Sequence, residues 1–295
     1  MKQPDQTLFE IGHILDDNRG ISGEFWMTKL SPLLRQLPLI YLCIPGTINS
    51  HEYSIEKTYY KNTQHSSITS QIFNGIRYLN VNATMTKTGW MCTTTLSLRD
   101  ILRQINLFAL SHSDEVLLLE INTKDFKCIQ YIIETMSHIL FTDDSVDDYW
   151  IKKHSLHFIC KSKKNVILLN NTFSSKSNRV LRTCTKYINS NSVQKIDKFL
   201  SLADISVCST FKIPPYAIKL NLRTYIHHTI CDRLFIDENK YRTDVSLSHE
   251  CIIQYVNNCK NVDNLNKIFV FCVEFECYID LLYLCMQIMD KRFFQ

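Results

Sequence analysis

Leu39-Ile40-Tyr41-Leu42-Cys43-Ile44-Pro45-Gly46-Thr47-Ile48-Asn49-Ser50 is the stretch whose reading decides the fold. Leu39 to Ile44 is an apolar run of the length of a buried strand, and Pro45-Gly46 breaks it into a turn. After the loop Asn49 to Asn62, Gln64 to Gly75 reads as a helix closed by its glycine. Ile76-Arg77-Tyr78-Leu79-Asn80-Val81 then reads as a second strand. A strand ending in a sharp turn, then a helix, then a strand, is the repeat of a parallel α/β fold.

The rhythm extends both ways. Upstream, residues 1–24 form a polar lead, and Glu24 to Leu37 reads as a helix interrupted at Pro32 and stopped by Pro38. Downstream, Thr88 to Thr95 reads as a third strand, with Trp90 and Cys92 alternating. Leu96 to Ser111 places Leu98, Ile101, Leu102, Ile105 and Phe108 on one helical face. Val116 to Ile121 is apolar but for Glu120, as in a parallel strand buried on both sides. Helices follow at Phe126 to Phe141, Val193 to Leu202, Tyr216 to Leu234 (with His227-His228 inside it) and His249 to Asn258. Strands are expected at Asn165 to Leu169 and Lys267 to Glu274, and a closing helix at Tyr278 to Met289. No linker, repeat or low-complexity segment divides the chain, so residues 1–295 are expected to form one domain.

Composition narrows the function classes. The chain has 295 residues, enough for one α/β barrel of about 250 residues. A net charge of +4 is small for that length, and no Lys/Arg run tracks a phosphate backbone, which argues against nucleic acid as a partner. Lys161-Ser162-Lys163-Lys164 is the densest basic cluster and reads as a solvated turn. The polar start and the lack of a spanning apolar window point to a cytoplasmic protein. Its 12 cysteines, none in a Cys-x-x-Cys pair, read as thiols rather than metal ligands, with intermolecular disulfides left open for an oxidising setting. Only 6 glycines are present, where about 7% usage would supply many more, which suggests loops rebuilt without close approach to a substrate.

Phe25 to Asn122 resembles the X domain of phosphatidylinositol-specific phospholipase C. The resemblance rests on Trp26-Met27, the turn Ile44 to Ser50, Thr63-Gln64 and the strand Gly75 to Asn80. It continues in Leu98-Arg99-Asp100-Ile101-Leu102 and Glu115-Val116-Leu117-Leu118-Leu119-Glu120, in the family's order and spacing. Residues 25–125 are the best-matching core. The resemblance implies a TIM-type (β/α) barrel, possessing the phospholipase C-like phosphodiesterase fold in a somewhat distorted form.

The resemblance also implies chemistry that this sequence lacks. The family attacks the phosphodiester with the inositol hydroxyl, using a His base in the first turn and a His acid on the third strand. An Arg or a calcium ion balances the phosphate charge. These are a base, an acid and a cation at the developing charge. The first His position carries Ile48, and the second falls at Met91. Asn49 is a partial match to the calcium-using pattern. Asn80 stands where the family has an acidic residue, and Asn82 where it has Arg or Asp. Glu120 matches the fourth-strand carboxylate, and Glu274 an acidic residue near the end of the last strand. Two apolar residues replace the acid–base pair, each member of which contributes about 10²–10⁴-fold. Two neutral amides replace charged calcium ligands. No intact catalytic residue, metal or cofactor is therefore expected.

The expectation is a pseudoenzyme kept as a self-assembling or partner-binding scaffold. The Asn-, Lys- and Ile-rich composition suggests a viral structural component. Two alternatives stand beside it. One is a non-hydrolysing binder of phosphoinositide membrane surfaces through Lys87, Arg99 or Lys124. The other is a residual lyase using His51 as an unorthodox base.

Overall fold

The computed structural model describes residues 22–53, 64–141, 154–170, 181–182, 185–188, 218–222, 268–273 and 281–294. Pro45 lies inside the first strand, β1 (Ile44–Thr47), instead of ending it. Leu39–Tyr41, expected as strand, is a 3-10 turn. The reason is a substitute donor. The Pro45 carbonyl accepts from Arg77 N at 2.9 Å. In a parallel ladder such a residue sends its own N–H back to the carbonyl two residues earlier, here Gly75 O. Proline has no N–H, and Trp26 Nε1 donates to Gly75 O at 2.9 Å in its place.

The other strands of the main sheet are β2 (Tyr78–Asn82), β5 (Leu117–Asn122), β6 (Val166–Asn170), β7 (Leu181–Arg182), β8 (Thr185–Ile188), β9 (Ile218–Leu222) and β10 (Ile268–Val273). All its pairings are parallel, and the spatial order is β7-β6-β5-β2-β1-β10-β9-β8. Strands therefore follow one another in chain order on either side of β1, and the first strand pairs with the last. This cyclic order belongs to a (β/α) barrel, and a doubly wound sheet lacks it. The two ends of the series, β7 and β8, are adjacent in the chain, and no pairing between them occurs among the described residues.

Outside the sheet lie α1 (Pro32–Gln36), α2 (Ile68–Phe73), α3 (Leu98–Ser111), α4 (Phe126–Met136), α5 (Leu156–Lys161) and α6 (Leu281–Phe294). The expected helix across Pro32 is instead a 3-10 turn at Gly23–Phe25 and a separate α1, because Pro32 opens that helix behind the Ser31 cap. Gly75 closes α2 at φ 99°, as its position suggests. The apolar face of α3 is buried as its periodicity predicts. Helix α4 stops at Met136, short of the expected Phe141. The segment expected as a third strand folds as an antiparallel hairpin off the main sheet, β3 (Thr84–Thr86) with β4 (Gly89–Met91). Ile218–Leu222 is strand where a helix was expected. Its apolar-polar alternation, Ile218-Lys219-Leu220-Asn221-Leu222, is the period of a strand. The helices expected at Val193 to Leu202 and His249 to Asn258, and the lead 1–21, lie outside the described residues.

One buried ion pair ties the start of the described chain to the bottom of the sheet. Arg77 Nη2 and Glu115 Oε2 are 2.8 Å apart, and both side chains are fully buried. Glu115 also accepts from the backbone N–H groups of Met27 and Thr28 at 3.2 and 2.8 Å. Burial pulls the Arg77 guanidinium below its ordinary range, and the Glu115 charge opposes that pull. Glu115 immediately precedes the apolar run of β5, where a solvated strand start would be expected; its carboxylate is instead the partner that makes a buried arginine tolerable. Arg77 is a scaffold residue, as the resemblance implies.

Candidate functional site

In a parallel barrel, function gathers where strands end and loops begin. The register aligns Gly46 with Tyr78 and Asn80 with Glu120 across β1, β2 and β5. Alternation then puts Ile48, Asn80, Asn82, Glu120 and Asn122 on one face of the sheet. Thr47 is on the other face, where its Oγ1 donates to Gln71 Oε1 of α2 at 2.8 Å. The relic positions Ile48, Asn49, Asn80, Asn82 and Glu120 thus meet at the C-terminal ends of three neighbouring strands, on or beside the face turned from the helices.

The turn after β1 is held by side chains that imitate a ladder. Ser50 N donates to Asn80 O at 2.8 Å, and Asn80 N donates to Ser50 Oγ at 2.9 Å. Gln64 Nε2 donates to the Ile48 carbonyl at 2.6 Å. Asn49 adopts the left-handed conformation at φ 47°, which asparagine tolerates better than most residues. Ile48 itself is 1% exposed.

The amides here satisfy one another. Asn49 Nδ2 donates to Glu52 Oε2 at 3.2 Å, Asn82 Nδ2 to Asn49 Oδ1 at 3.1 Å, and Asn122 Nδ2 to Asn82 Oδ1 at 2.9 Å. Asn170, at the end of β6, donates to the Ile121 carbonyl at 2.7 Å. This head-to-tail chain engages the side-chain oxygens of Asn49 and Asn82. Among the described residues no group of three or more His, Cys, Asp or Glu side chains is placed to hold a metal ion.

His51 is buried beside this chain, and desolvation lowers its imidazole pKa to about 4, offset in part by the Asn80 backbone. Among the described residues its Nδ1 has no hydrogen-bond partner, and Nε2 stands 3.9 Å from Glu52 Oε1, too far for a hydrogen bond. Met91 does not join the cluster. It is half-buried on β4, paired with Thr84 in the hairpin, because the segment that would carry the family's third strand leaves the sheet. Glu274 lies outside the described residues. Sequence reading missed Asn122, whose only signal is its place at the end of the β5 run. It also missed Gln64 and Gln71, which brace the turn from across a loop.

Several other expectations concern the surroundings. Lys161 and Lys163 are exposed in the turn before β6, as expected of a solvated cluster. Cys43, Cys128, Cys160 and Cys285 are buried, and burial raises the Cys160 pKa to about 12. Among the described residues no helix is long and apolar enough to cross a membrane.

The cyclic parallel sheet and outer helices define a TIM-type (β/α) barrel. Solved structures of phosphatidylinositol-specific phospholipases C share it over nearly their whole length. The enzyme from Listeria monocytogenes aligns with TM-score 0.58 at 14% identity, covering 90% of this chain and 99% of its own. A Staphylococcus aureus enzyme aligns with TM-score 0.63 at 12% identity, covering 90% and 97%. No protein-family model matches the sequence, and no curated protein sequence does. The likeness is one of fold.

Proposed function

We propose that this protein is a non-catalytic relative of the phosphatidylinositol-specific phospholipases C, kept as a structural scaffold that binds copies of itself or another protein. The observation that carries the reading is the filled first-turn position. Ile48, where the family's base would stand, is buried, and Asn49 and Asn82 are engaged by neighbouring amides. A side chain without a titratable proton cannot serve as a base, and neutral amides are poorer calcium ligands than carboxylates. Exposed Leu107 and Leu110, one helical turn apart on α3, supply apolar surface for contacts.

The test is release of cyclic inositol phosphate from phosphatidylinositol vesicles by the purified protein, with calcium and with chelator. No product above the buffer control is expected after prolonged incubation. Turnover that disappears in His51→Ala would overturn the proposal and establish His51 as the base.

A further inference from the structure

A second concavity, separate from the barrel mouth, lies where the β3–β4 hairpin meets α3 and α4. It encloses about 620 Å³ and is lined by Gly89, Trp90, Arg99, Asp100, Arg103 and Tyr131, among others. None of the amides at the mouth lines it. Its volume is within the range of about 300–1,000 Å³ typical of small-molecule sites and exceeds what a bare inorganic anion fills.

The chemistry of the walls is specific. Arg99 and Arg103 are four residues apart on α3, so their side chains rise from one helical face. Both are exposed, and neither has a hydrogen-bond or ion-pair partner among the described residues. Asp100, the acid among the lining residues, is engaged: its Oδ2 accepts from Ser97 Oγ at 2.6 Å and closes the N-terminus of α3. Trp90 and Tyr131, both half-buried, are the cleft's aromatic lining. At Gly89, whose φ is 114°, a Cβ would meet nothing within 4 Å, so the hairpin side of the cleft is open.

We propose that this cleft binds an organic phosphate monoester, with the phosphate between Arg99 and Arg103 and a flat apolar body against Trp90 and Tyr131. Two guanidinium forks match the oxygens of a phosphate dianion, and aromatic faces accept a ring. The same chemistry can come from a soluble phosphate ester or from a lipid headgroup. The inference does not depend on whether the barrel mouth is catalytic.

Isothermal titration calorimetry with phenyl phosphate, beside phenol as the uncharged control, tests the soluble source. Sedimentation with phosphatidylcholine vesicles, with and without phosphatidic acid, tests the lipid source. Saturable binding of phenyl phosphate but not phenol is expected, weakened at least about tenfold in Arg99→Gln/Arg103→Gln. Both side chains are exposed, so the variant should fold, and circular dichroism verifies it. Arg99→Lys/Arg103→Lys, keeping charge but losing the forks, is expected to fall between. Arginine-dependent pelleting with phosphatidic acid alone would assign the site to a lipid. Absence of saturable binding to either probe, or equal binding by the glutamine variant, would overturn the proposal.

Discussion

His51 shows how a single residue changes meaning with its surroundings. It stands three positions beyond Ile48 in the turn after β1, and its burial disfavours the charged imidazolium. Burial lowers its pKa from the ordinary 6.5 to about 4. In the window between these values the unfolded chain binds a proton that the folded chain excludes, so stability falls as pH falls from about 6.5 to about 4. The shift corresponds to about 3 kcal/mol in full. Urea denaturation at pH 7 and pH 4.5 should show this loss in the wild type and a smaller loss in His51→Gln. Equal losses would remove His51 as the cause.

At the scale of the element, β1 depends on a residue outside it. A proline in a strand paired on both sides costs a ladder hydrogen bond, which is why such residues are usually confined to sheet edges. Trp26 removes that cost by donating to Gly75 O, while its ring packs in the core, within 6.0 Å of the Arg77 guanidinium. Trp26→Phe keeps most of the packing and deletes the donor. It should lower stability by about 1–3 kcal/mol, the cost of leaving a buried carbonyl unsatisfied. Chemical denaturation measures it, and an unchanged midpoint would show that another group takes over the carbonyl.

For the whole molecule, the question is which surface the barrel presents to a partner. Exposed Leu107 and Leu110 lie on the face of α3 opposite its buried stripe. If the protein works by assembly, sedimentation velocity should show oligomers that shift toward monomer in Leu107→Lys/Leu110→Lys. A monomeric wild type that captures no partner would count against the scaffold reading.

Much of this was legible in the chain. The apolar runs of β2, β5, β6 and β10, the amphipathic face of α3 and the glycine that closes α2 are local signals, since burial on both faces or on one stripe prints its period directly in the residues. That Ile48 and Met91 carry no titratable group is equally legible, though only the resemblance gives those two positions a meaning. Tertiary structure alone decided the rest. Pro45 stands within a strand because Trp26 reaches the Gly75 carbonyl, 49 residues away in the chain. Glu115 is buried because Arg77, 38 residues distant, meets it. The hairpin takes Met91 out of the sheet, and the amides of Asn49, Asn82 and Asn122 find one another across three strands. A period records which face a residue shows to the core. Which partner waits there is set by register and crossing chains, and no local pattern encodes it.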